Sequence, residues 1–184
     1  PRIRSAVHCA QISFTSQADA EVWIHQIAPQ APGQLPSPLV QFTIMEGHAA
    51  QHPDRMRAFS NQPGKGLTAC ANLALKEARG RYIIRLDADD YFDESALLVM
   101  ATYLDRHPDV GLVYPNYFYV NAEGDVLGVE DRKRIGAEVE LLDLPAHGAC
   151  TMVRKRNLKA LGGYNESYDR QDGWDLWLRF TNRY

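Results

Sequence analysis

Residues 86–94 of the chain read Leu-Asp-Ala-Asp-Asp-Tyr-Phe-Asp-Glu, its densest acidic stretch. In extended backbone, residues two apart point the same way, so Asp87 and Asp89 can face one hard cation while Ala88 points away and packs. Magnesium takes one or two protein carboxylates and completes its octahedron with water and substrate phosphates. The spacing therefore suits a metal that arrives with a nucleotide diphosphate. The alternative is a solvated acidic turn, with Asp93 capping the helix that follows. A calcium loop is excluded, because the sixth position from Asp87 is Phe92 where glycine is required and the twelfth is Leu98 where glutamate is required.

The elements around this cluster are the clearest in the chain. Residues 81–86 read as a strand, and in an open α/β sheet ligands bind outside the carboxyl ends of the strands. Before it, Leu67, Cys70, Ala71, Ala74, Leu75 and Ala78 mark one face of a helix closed by Gly80. After it, Leu97, Met100, Ala101 and Leu104 mark another, which must stop before Pro108. Residues 111–120 and 126–129 read as two strands joined by a turn at 121–124. The polar, basic stretch 130–140 reads as a loop, 150–153 as a strand, and 156–161 as a short helix ending on Gly162 and Gly163. Residues 174–180 look helical and break off at Tyr184 without a stop signal, as in a fragment. The amino-terminal part is read as a strand at 6–12, a helix at 16–27 from the spacing of Ala20, Trp23, Ile24 and Ile27, a loop through Pro29, Pro32, Pro36 and Pro38, and a buried strand at 39–45 ending on Glu46 and Gly47.

Bulk properties narrow the classes. A chain of 184 residues with 45% hydrophobic and 23% charged residues is an ordinary globular composition. A net charge of -3 offers no field for a nucleic-acid backbone, so no nucleic-acid partner is expected. Cys9, Cys70 and Cys150 are odd in number and far apart, unlike a zinc or disulfide framework, and read as reduced thiols. No stretch reaches the roughly 18 apolar residues of a membrane span. The expectation is a cytoplasmic protein without an integral membrane segment, with peripheral attachment to a membrane left open.

Residues 61–93, NQPGKGLTACANLALKEARGRYIIRLDADDYFD, resemble the core of glycosyltransferase family 2, inverting enzymes of the GT-A fold. The shared features are an N-x-A helix, an A-x-G-x-Y-I strand entry and L-D-x-D-D. Residues 161–179, LGGYNESYDRQDGWDLWLR, resemble the same family's G-G-[FY] turn followed by an acid and W-D-L-W-L-R. The likeness covers residues 58–184.

The resemblance implies the rest. Asp87 and Asp89 would hold a divalent metal, magnesium or manganese, and the donor diphosphate. Asp172 would be the general base on the acceptor hydroxyl, with Asp175 in reserve, although a carboxylate facing the helix dipole is the favoured reading of Asp175. Lys65 lies in the loop that approaches the nucleotide. Glu46, in the stretch VQFTIMEG at 40–47, stands where the family has an aspartate contacting base or ribose. Trp177 reads as core and Trp174 as an acceptor wall, while His147 reads as structural.

The expected fold is a single α/β, GT-A-like domain over 1–184, with a central mixed, mostly parallel sheet flanked by helices. Residues 1–90 form a nucleotide-sugar-binding half and 91–184 an acceptor-side half. The expected activity is metal-assisted transfer of a sugar from a nucleotide-diphosphate donor, a UDP-sugar, to a carbohydrate or other hydroxyl acceptor, with inversion. A catalytically degenerate nucleotide-sugar-binding module is the alternative. A sugar-phosphate nucleotidyltransferase is disfavoured, since its G-x-G-T-R loop is absent.

Overall fold

The computed structural model describes residues 7–13, 20–26, 38–61, 66–87, 90–121, 123–132, 150–168 and 172–184. In chain order the elements are β1 (Val7–Ser13), β2 (Ala20–Gln26), α1 (Pro38–Gln51), β3 (Met56–Asn61), α2 (Leu67–Glu77), β4 (Tyr82–Asp87), α3 (Ala96–Arg106), β5 (Leu112–Val113), β6 (Tyr117–Val120), β7 (Val126–Glu130), β8 (Met152–Arg154), α4 (Lys155–Ala160) and α5 (Asp172–Thr181). Six strands form one sheet in the order β3-β1-β2-β4-β8-β5, and β6 and β7 form a separate hairpin.

The core explains why β4 is central. Its residues Tyr82, Ile83, Ile84 and Arg85 are buried in succession, the signature of a strand covered on both faces. Side chains alternate across a strand. Ile83, with Val153 of β8, meets Ala71, Ala74 and Leu75 of α2, Leu158 of α4, and Leu176 and Phe180 of α5. Tyr82 and Ile84, with Met152, meet Met100, Ala101 and Leu104 of α3. Each large aliphatic side chain buried this way contributes about 1.5–3 kcal/mol. The result is a helix, sheet, helix sandwich with β4 in its middle layer.

Arg154 ties β8 to the end of α3. Buried beside Tyr82, it donates to the carbonyls of Leu104, His107 and Val110, the last at 2.7 Å. A guanidinium there gives further donors to the carbonyls at and just beyond the end of α3.

The α/β expectation holds, but several details change. Among the described residues only β2 and β4 pair in parallel; β1 with β2, β1 with β3, β4 with β8, and β5 with β8 are antiparallel. The sheet is mixed, not mostly parallel. One cause is the segment read as a helix over 16–27, which contains β2 instead. With only 14–19 joining β1 to β2, the connection is too short for a parallel crossover, which needs a dozen or more residues. The run Val22, Trp23, Ile24 suits either structure, and pairing with strands on both sides decides for β. Conversely, the strand expected at 39–45 is part of the fourteen-residue helix α1, opened by Pro38, whose fixed φ suits a first helical turn. Its β-branched residues are outweighed by the helix formers that follow, Met45, Glu46, Ala49, Ala50 and Gln51.

Residues 111–120 also split. β5 joins the main sheet and β6 the hairpin, with Pro115, which has no N–H to give to a ladder, between them.

Candidate active site

Strand β4 leaves the sheet at Asp87. Arg85 and Asp87, two apart, share a face, and Arg85 grips the carboxylate at both oxygens: Nε to Oδ1 at 2.6 Å and Nη2 to Oδ2 at 2.9 Å. Arg85 is only 6% exposed, so its charge requires such a partner. On the β2 side, the register partner of Asp87 is His25. On the β8 side, the Cys150 N–H donates to the Arg85 carbonyl at 2.9 Å, with Cys150 at a positive φ of 56°. The Asp90 N–H donates back to the Asp87 carbonyl at 3.1 Å, turning the chain at the rim. Burial pushes the Cys150 thiol pKa up; Asp90 and Asp87 push the same way, and Arg132 and Arg85 oppose them. These four charged residues therefore share one electrostatic neighbourhood.

Arg132 comes to this neighbourhood from the residues after β7. Its guanidinium lies 4.8 Å from the ring centre of Tyr117 and 5.9 Å from that of Tyr114. Its backbone N–H donates to Asn116 Oδ1 at 2.9 Å, while Asn116 Nδ2 donates to Asp131 at 2.6 Å. Its Nη1 is buried and has no hydrogen-bond partner among the described residues. The Tyr114 ring meets Trp177 of α5 edge-on, with centres 5.4 Å apart.

Helix α5 begins at Asp172, and residues 164–166 ahead of it are tied to α2. Asn72 Oδ1 accepts from the Tyr164 N–H at 2.8 Å, and Asn72 Nδ2 donates to the Tyr164 carbonyl at 2.9 Å and to Glu166 at 2.8 Å. Gly163 turns the chain at a φ of 76°, where a Cβ would stand 2.5 Å from Asn72 Oδ1. Glycine is therefore required twice over, by conformation and by space. In α5, Asp175 is bound by Arg179, with Arg179 Nε at 2.8 Å, and Arg179 also donates to the Leu161 carbonyl. Trp177 is core, as expected, and Trp174 is half-buried. Asp93 does not cap α3: the N-cap position is Ser95, without a side-chain capping bond, and Asp93 Oδ1 instead accepts from the Ser95 N–H at 2.9 Å in the turn ahead of the helix.

Of the residues singled out by sequence, Asp87 stands at the carboxyl end of β4 and Asp172 at the first position of α5. Asp89, Lys65 and His147 lie outside the described residues. Glu46 does not end a strand beside β4: it is exposed on α1, which packs on β3 and β1, and β1 and β2 separate β3 from β4. The sheet therefore gives Glu46 no place on the rim that Asp87 occupies.

Among the described residues, no group of three or more His, Cys, Asp or Glu side chains is arranged to hold a metal by itself. Carboxylate oxygens at Asp87 and its acidic neighbours are hard ligands that suit magnesium or manganese once phosphate oxygens complete the shell. Arg85 and Arg132 were not anticipated from sequence. A lone cation between Ile84 and Leu86 in a buried strand, two residues before an aspartate, was the readable sign of the first. Arg132 had no comparable sign within its basic run.

Residues 43–162, more than half of the chain, match the family described as "Glycosyl transferase family 2". The chain belongs to this family. It is 26% identical over 138 residues to chondroitin synthase of Escherichia coli, covering 75% of this chain and 20% of that protein. It is 27% identical over 124 residues to the UDP-Glc:alpha-D-GlcNAc-diphosphoundecaprenol beta-1,3-glucosyltransferase WfgD of Escherichia coli, covering 67% of this chain and 47% of that one. The chain thus spans less than half the length of these two relatives. The fold matches the crystal structure of S. aureus TarS 1-349 with a TM-score of 0.54 at 18% identity, over 79% of this chain and 43% of that one. The fold is GT-A-like.

Proposed function

We propose that this domain transfers a sugar from a UDP-sugar to an acceptor hydroxyl with inversion, with Asp87 and Asp89 on the donor side and Asp172 as general base. The observation that carries this reading is the exit of β4, buried on both faces, at Asp87, the rim position where α/β sheets bind ligands. Family membership supports the reaction class, and the UDP-linked name of one relative supports the nucleotide.

The chemistry assigns each group one task. The acceptor oxygen attacks the anomeric carbon from the side opposite the diphosphate, the bond from that carbon to the diphosphate oxygen breaks, and its electron pair leaves with the nucleotide. Inversion follows from this single displacement. Asp172 accepts the hydroxyl proton as the new bond forms, a contribution of about 10²–10⁴-fold for a positioned base. Asp87 and Asp89 would hold a divalent metal, which when bound neutralises charge on the departing diphosphate. Arg85 fixes the orientation of the Asp87 carboxylate, and Asn72, through Tyr164, fixes the approach to α5. Lys65 is assigned to the nucleotide side. The acceptor is a carbohydrate or another hydroxyl-bearing molecule.

The test is a screen of nucleotide sugars with manganese and a broad acceptor panel, read as release of the nucleotide diphosphate. Release from a UDP-sugar supports the assignment. Donor binding without transfer or donor hydrolysis anywhere in the panel would make the domain a binding module.

A further inference from the structure

We infer that Arg132 is a donor-binding residue, whose guanidinium receives the diphosphate of the nucleotide sugar at the rim beside Asp87. The inference rests on the donor reading above and adds a group that the sequence motifs do not contain. Three observations carry it.

The first is the unpaired nitrogen. Arg132 Nη1 is buried without an acceptor among the described residues. A guanidinium nitrogen removed from water without an acceptor is costly, and the cost is recovered when an anionic oxygen arrives.

The second is preorganisation. The guanidinium lies against the Tyr117 and Tyr114 rings, and the Arg132 backbone N–H is held by Asn116. Stacking on aromatic faces leaves the in-plane N–H groups available, and planar paired donors match phosphate geometry.

The third is location. Arg132 acts on Cys150 together with Asp87, Asp90 and Arg85, and the Cys150 N–H is bonded to the Arg85 carbonyl on β4. Arg85 is engaged at both oxygens of Asp87, while Arg132 Nη1 has no acceptor among the described residues, so of these two cations Arg132 is the one able to take an entering anion. The Tyr114 ring that flanks Arg132 also touches Trp177 of α5, the helix that begins at Asp172. Arg132 is therefore linked to the rim of β4 through Cys150 and to α5 through Tyr114. A phosphate is favoured over a neutral sugar hydroxyl because the group carries a full charge and its Nη1 is removed from water.

The experiment compares UDP with uridine by calorimetry in the presence of manganese, for the wild-type chain, Arg132→Lys and Arg132→Gln. Arg132→Gln is expected to weaken UDP at least about tenfold, the worth of one charge-assisted hydrogen bond, while uridine affinity stays unchanged. Arg132→Lys keeps the charge and loses the planar fork, so it should weaken UDP by a smaller factor, again without effect on uridine. Should Arg132→Gln fail to fold, as read from its melting curve, Arg132→Lys carries the comparison. A UDP-to-uridine ratio equal to wild type in the folded variants would overturn the inference and leave the donor reading standing. Wild-type protein that binds neither UDP nor UDP-sugars would overturn both.

Discussion

Arg85 holds both carboxylate oxygens of Asp87, at 2.6 and 2.9 Å, from two residues back on the same strand. The arrangement fixes the carboxylate at the rim and neutralises a buried guanidinium, and it also makes Asp87 a contested ligand. A cation approaching Asp87 must share oxygens already engaged.

Metal and nucleotide are therefore expected to bind together and weakly apart. Two carboxylates, one of them paired with arginine, are too few ligands for a tight magnesium or manganese site without phosphate oxygens. Titration of manganese into the protein with and without UDP should show the mutual dependence. Tight manganese binding by the free protein, unaffected by UDP or by Asp89→Ala, would remove Asp87 and Asp89 from the metal site.

Gly163 and Asn72 supply a test of how α5 is positioned. Gly163→Ala puts an L side chain at a φ of 76° and a carbon 2.5 Å from Asn72 Oδ1. The backbone alone should cost about 1–2 kcal/mol, and the close contact adds to it. Asn72→Ala removes the atom that the new carbon meets, so the double variant should lose less stability than the two single losses added together. Urea denaturation of the four proteins measures the coupling. Additive losses would mean that Asn72 and the Gly163 turn do not press on each other.

The legible part of the fold was the part built from local signals. Residues 67–78 show the period of a helix because one face of α2 packs on the sheet, and the apolar run after Gly80 shows a strand because β4 is buried on both sides. The amino-terminal region was misread for a physical reason: short apolar runs such as Val22, Trp23 and Ile24 fit either structure, and partners far along the chain choose between them. β2 is a strand because β1 and β4 lie on either side of it, and neither neighbour is visible from its own residues. The misreading carried Glu46 onto the rim. The same limit hid Arg132, whose significance lies in Tyr114, Tyr117 and an unpaired nitrogen, all properties of the folded chain.

Asp175 is expected to be structural. Its carboxylate is held by Arg179 one turn along α5, and Arg179 reaches on to the Leu161 carbonyl. Pairs of this kind contribute modestly, and Asp175→Asn should cost on the order of 1 kcal/mol of stability or less while leaving transfer mostly intact. Thermal melts beside a transfer assay separate the two effects. A variant with unchanged stability and abolished transfer would move the base from Asp172 to Asp175.

Asp172 separates an enzyme from a binding module. It opens α5, it is the residue proposed above as the base, and Asp175 beside it is already committed to Arg179. Asp172→Asn keeps the shape and removes the basicity, so the proton of the acceptor hydroxyl has nowhere to go as the bond forms. Transfer should fall by about 10²–10⁴-fold, with affinity for the metal-bound nucleotide nearly unchanged, because the lost interaction is made only in the transition state. Asp89→Asn should instead weaken donor binding and transfer together, as expected of a group that holds the ground-state donor. Rate measurements at saturating donor, paired with calorimetry of UDP and manganese, distinguish the two patterns. If Asp172→Asn lowered UDP affinity as much as it lowered transfer, Asp172 would belong to the donor site, and the proton acceptor would have to be sought elsewhere in the domain.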